Sequence, residues 1–165
     1  MIRSAALLAL TSFALTLAAE DFGPVAQAAQ RVFKGRTHFG VVCDARFSRQ
    51  EVADLQRALA DESVLTVVDY RAPTSIGAAA VVIAQRGVEV LVLLPHDPLI
   101  RDGSAEASEL VRQLGSRIPA IGTTSAALKS GCAFAVGSTT RGELMLNPGV
   151  LERTARPTDG PARTR

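Results

Sequence analysis

Residues 88–94 read Val-Glu-Val-Leu-Val-Leu-Leu, and the run then breaks into Pro95, His96, Asp97 and Pro98. A run of this length that is apolar at every position but Glu89 predicts a strand buried on both faces, as in a parallel sheet covered by helices. The β-branched Val88, Val90 and Val92 favour a strand over a helix. Similar runs alternate with helical spacing along the rest of the chain. Residues 21–34 predict a helix, with Pro24 near its first turn and Val25, Ala28, Ala29 and Val32 on one face. Residues 38–44 predict the first strand. Ser48 and Glu51 match a capping box, and Val52, Leu55, Ala58 and Leu59 continue a helix to about Asp61. Residues 64–70 predict the second strand.

Thr74 or Ser75 then caps a helix carrying Ile76, Ala80 and Ile83 and ending at Gly87. The apolar run at 88–94 is the third strand. Ser104 opens a helix with Leu110, Val111 and Leu114, closed by Gly115. Residues 118–122 form a short fourth strand, in which Pro119 removes one ladder donor near the start. Thr123, Thr124 and Ser125 cap a short helix ending at Gly131, residues 132–136 form a fifth strand, and residues 144–146 add a marginal edge strand. Strand and helix alternate over short connections, so right-handed crossovers predict an α/β fold of three layers. The expected sheet is parallel, of about five strands, in the flavodoxin-like or Rossmann-like order 2-1-3-4-5.

At 165 residues the chain has the length of one domain. The domain is expected over 37–150, preceded at 20–36 by a linker or amino-terminal helix. From 151 to 165 the chain holds Pro157, Gly160, Pro161 and Arg residues with almost nothing apolar, which predicts a disordered tail. Residues 1–19 have the pattern of a secretory signal peptide: a positive start at Arg3, an apolar run, and small residues at Ala18 and Ala19, with Ala26 and Ala28 offering a second cleavage site. The run is short for a membrane span, and no Cys follows it to carry a lipid. The expected address is therefore periplasmic, with no stable membrane insertion after cleavage.

The composition is 47% hydrophobic and 4% aromatic with no Trp, so the core is aliphatic. A formal net charge of +2 gives no field that argues for nucleic acid or a membrane surface. Cys43 and Cys132 would be invited to pair in an oxidising compartment. The expected topology sets them more than one strand apart, so two buried thiols are the reading preferred to a disulfide.

In open α/β sheets, ligands collect outside the carboxyl ends of the strands. That rim gathers Asp44 and Arg46 after the first strand, Asp69 and Arg71 after the second, and His96 and Asp97 after the third. Thr123, Thr124 and Ser125 follow the fourth strand and residues 138–141 the fifth. Helix starts at Ser48, Ser75, Ser104 and Ser125 face the same way and suit a small polar or anionic ligand, although each such residue is also an ordinary turn or cap residue. Asp44, Asp97 and Thr123 also bring a phosphate-accepting receiver domain to mind. That reading needs a second acidic residue after the first strand and a Lys after the fifth, whereas Lys129 precedes the fifth. No Gly-x-Ser-x-Gly elbow, Walker loop or Gly-x-Gly-x-x-Gly is present. His38 and His96 fall at opposite ends of adjacent strands and cannot share a metal. No catalytic residue, metal or cofactor is therefore expected.

Residues 39–44 with the Ser-capped helix after them, and then residues 88–98, resemble one lobe of the substrate-binding proteins of ABC transporters. The nearest group is the type I periplasmic kind often linked to aromatic amino acids. Residues 117–122, the short helix, Gly131 and residues 133–137 follow that family's order, so the resemblance spans about 37–149. It implies binding of a small polar solute at the carboxyl ends of the strands, with Asp44, Arg46, His96, Asp97, Thr123 and Thr124 at the cleft-facing positions. Family members close two lobes on a ligand, and this chain has length for one. A second copy completing the cleft as a homodimer is one expectation. The alternative is an exported, non-catalytic accessory module that docks to a periplasmic protein partner.

Overall fold

The computed structural model describes residues 21–71, 74–137 and 142–155. Residues 1–19, read above as a signal peptide, residues 138–141 of the expected rim, and residues 156–165 of the expected tail lie outside the described residues.

The strands are β1 (His38–Cys43), β2 (Val64–Asp69), β3 (Val90–Val92), β4 (Ala120–Gly122), β5 (Phe134–Val136) and β6 (Leu144–Leu146). The helices are α1 (Gly23–Val32), α2 (Arg49–Ala58), α3 (Ile76–Gln85), α4 (Ala105–Leu114), α5 (Ala126–Lys129) and α6 (Pro148–Ala155). The sheet order is β2-β1-β3-β4-β5-β6, parallel throughout except for the antiparallel β5–β6 pair. This is the three-layer flavodoxin-like arrangement that the alternation of runs predicts, with 144–146 as the sixth, edge strand.

The run at 88–94 explains why the sheet is covered on both sides. Val90, Val92 and Leu94 enter the core layer shared with α1, α2 and α6. Leu91 and Leu93 enter the opposite layer, against α3, α4 and α5. Burying each such side chain stabilises the fold by about 1.5–3 kcal/mol. The ladder is shorter than the apolar run because its outer residues bond singly: Glu89 N–H donates to His38 O and Leu93 N–H to Ile121 O. β4 and β5 are trimmed from their expected starts in the same way.

Of the two readings of 20–36, the amino-terminal helix is the one present, as α1, and it packs into the domain: Phe22, Val25, Ala26, Ala29 and Phe33 are buried in the first layer and the Phe33 ring stacks on Phe134. Cleavage after Ala28 would therefore remove Phe22, Val25 and Ala26 from the core, whereas cleavage after Ala19 would leave all of it. At the other end, the expected tail begins as helix α6, because Val150 and Leu151 pack against the first core layer.

Ser75 and Ser104 cap their helices as expected, accepting from Ala78 N–H at 3.1 Å and from Ala107 N–H at 3.0 Å. Ser48 and Ser125 make no side-chain cap. Helix α2 also stops at Ala58 rather than Asp61, where Leu59 turns to extended backbone.

Both cysteines are unpaired and buried. Cys43 lies in one core layer and Cys132 in the other, so the sheet stands between them and no rotamer change brings them together.

Candidate functional site: the carboxyl rim

The sheet places the ends of β1, β2, β3 and β4 side by side, with Asp69 in register with Cys43. The loops after these strands form the rim. In this strand order the crevice lies between the loops after β1 and β3, where the connections leave in opposite directions.

Asp97 occupies that crevice. It is 0% exposed, and both carboxylate oxygens are engaged. Oδ1 accepts from Leu99 N–H at 2.9 Å and Ile100 N–H at 2.6 Å, within its own loop. Oδ2 accepts from Asp44 N–H at 2.8 Å and from the Ser48 hydroxyl at 2.6 Å, in the loop after β1. A buried carboxylate is tolerated when its lone pairs are satisfied in this way. Ser48, the expected cap, instead turns its hydroxyl to Asp97 and makes no side-chain bond to the α2 amides. Glu51, the other half of the expected capping box, holds His96 Nδ1 at 2.7 Å from its Oε1.

A second carboxylate repeats the device one loop further on. Asp102 Oδ2 accepts from Thr123 N–H at 3.1 Å and Thr124 N–H at 2.8 Å, tying the loop after β3 to the loop after β4. Its Oδ1 is buried without a hydrogen-bond partner. Burial pushes the Asp102 carboxyl above the usual range, partly offset by the hydrogen bonds from Thr124 and Thr123. Gly122 is required beside it, because a Cβ there would sit 2.8 Å from Asp102 Oδ1.

At the β1–β2 end, Asp44 is buried and bonded to the Arg46 guanidinium at 2.9 Å, which holds its carboxyl below the ordinary value. Asp69 accepts from Ala45 N–H at 3.1 Å and pairs with Arg71. The guanidinium of Arg46 lies over the Phe47 ring, 5.6 Å from its centroid. Phe47 itself is 72% exposed, a large apolar side chain left on the surface.

The six expected ligand residues therefore divide. Asp44, Asp97 and Thr123 are buried and bonded internally. Thr124 gives its amide to Asp102. Arg46 and His96 remain outward, with side chains 62% and 68% exposed. The two histidines do lie at opposite ends of the paired strands β1 and β3, His38 against Thr66 Oγ1 at 2.8 Å and His96 on the rim. Sequence reading missed Asp102 and Phe47. Asp102 looks like any loop Asp before a Gly, and nothing in the sequence links it to amides 21 and 22 residues away. Phe47 is an apolar residue isolated among polar ones, and that isolation was the available signal.

The chain matches no family model, no curated protein and no solved structure.

Proposed function

We propose that the chain is an exported, non-catalytic recognition module, built like a single substrate-binding lobe, that docks a periplasmic protein partner through its carboxyl rim. The observation that carries this reading is the closed crevice: Asp97 accepts two hydrogen bonds from the loop after β1 and two from its own loop after β3, tying the loops together where a small ligand would enter. A small molecule draws its affinity from being enclosed. What the rim presents instead is an outward surface of Arg46, Phe47, Arg71 and His96, and aromatic and Arg side chains are the types that dominate protein interfaces. The test is photo-crosslinking in the exported fraction, with a photoreactive residue at Phe47 and, as control, at the exposed Val81 of α3. A discrete polypeptide adduct at position 47 and not at 81 is expected. Identical patterns at both positions would remove the rim as the docking face.

The paired guanidinium groups support a second reading. Arg46 and Arg71, after the neighbouring strands β1 and β2, are each oriented by the aspartate two residues before them, an arrangement suited to an anionic solute. In this reading the lobe binds a small polar solute on the open rim and a second copy closes over it, as the resemblance to ABC-transporter substrate-binding proteins implies. A dimer that forms only with solute, and fails in Arg71→Ala, would favour it.

A further inference from the structure

At the other end of the sheet, a cavity of about 280 Å³ lies between α4, the turn before β5, and α6. It lies toward the amino ends of β4 and β5, into which Gly115 and Ser116 and then Ser130 and Gly131 lead, with Ser130 also touching Gly103 of the loop after β3.

The polar lining is cationic and hydroxylic, with no carboxylate. Arg153 of α6 makes no ion pair among the described residues. Arg112 of α4 spends Nε and Nη2 on Glu109, at 2.8 and 2.6 Å, and these bonds orient its guanidinium. The buried Ser130 accepts from Gly103 N–H at 3.1 Å through its oxygen, and among the described residues its hydroxyl proton has no hydrogen-bond acceptor. Val111 and Val150 supply apolar wall from opposite layers of the fold. Gly131 in the wall has φ of 90°, a left-handed backbone that favours glycine.

We propose that this cavity binds a small organic carboxylate, its carboxylate held by Arg153, Arg112 and the Ser130 hydroxyl and its short apolar body against Val111 and Val150. The donors line the cavity from three separate segments, which suits holding a planar anion, and guanidinium groups match carboxylate geometry. The volume fits a body of a few carbons. A fully hydrated inorganic anion would leave the valine wall unused.

The experiment is amide NMR titration of the mature chain with isovalerate, with isovaleramide and inorganic phosphate as comparison probes. Isovalerate is expected to give saturable shifts in Ser108, Gly115, Gly131 and Arg153, leaving Arg46 and Phe47 unmoved. Isovaleramide and phosphate are expected to give none. Arg153→Gln should weaken isovalerate binding about tenfold, as losing one charge-assisted hydrogen bond does, without changing the thermal midpoint. Shifts with phosphate but not isovalerate, no saturable shift with isovalerate, or an unchanged affinity in Arg153→Gln would each overturn the assignment. Because the rim residues are read in the same spectra, failure here is separable from failure of the rim as a docking face.

Discussion

Ser48 and Asp97 lie 49 residues apart, yet the Ser48 hydroxyl donates to Asp97 Oδ2 across 2.6 Å inside the protein. That bond replaces the local cap expected of Ser48 and joins the first crossover to the third strand. It makes Asp97 a tie between loops.

Removing the tie should cost stability. Asp97→Ala leaves the amides of Asp44, Leu99 and Ile100 without their acceptor in a buried place, and a loss of about 3–4 kcal/mol is expected. Asp97→Asn keeps one oxygen for Leu99 and Ile100 but turns an NH2 toward Asp44 N–H, so an intermediate loss is expected. Urea denaturation measures both. A wild-type midpoint in Asp97→Ala would show that the crevice is not held this way.

Ser48 offers a sharper contrast. At a helix N-cap, Asp substitutes well for Ser. Here Ser48→Asp would set a second carboxylate against Asp97, so it should destabilise more than Ser48→Ala, whose cost is about 1.5–3 kcal/mol because the bond is to a buried carboxylate. The opposite order in thermal melts would restore the capping role.

The strand order and both faces of 88–94 were legible because apolar periodicity reports burial directly. The site was less legible because the same Ser-x-x-Glu pattern serves either a cap or two partners 45 to 49 residues away, and local sequence carries no sign of which. Asp44, Asp97 and Thr123 were located on the rim, but a rim position does not say whether a side chain points outward or is consumed by the neighbouring loop. That depends on register between strands distant in sequence, such as β3 against β1.

The thiols give a test of the layering. Cys43 is pushed up to about 12, by burial first and then by surrounding carboxylates including Asp97, and burial raises Cys132 as well. Neither should react with a thiol reagent in the native protein at pH 7, and both should react once it is unfolded without reductant. One rapidly labelled thiol would contradict the burial, and none after unfolding would indicate a disulfide.

Asp102 sets a pH dependence of known sign. Its carboxyl is raised in the folded state, so the folded protein holds that proton more tightly than the unfolded chain. The associated stability is present below the ordinary carboxylate value of about 4 and is lost as pH rises through the raised one. Asp44 acts in the opposite sense, contributing above the ordinary value and losing its contribution as pH falls. Asp102→Asn should therefore flatten the fall in stability on the rising side of pH 4 while leaving the acid limb in place. Parallel profiles for variant and wild type would show that Asp102 does not titrate differently on folding.

Native mass spectrometry of the protein purified from the exported fraction tests the docking claim most directly, comparing wild type with Arg46→Ala/Phe47→Ala. The account predicts that wild type carries a second, different polypeptide at fixed stoichiometry and that the double variant is a bare folded monomer. A wild type that lacks the second polypeptide, whether bare like the variant or carrying only a small-molecule mass, would contradict it.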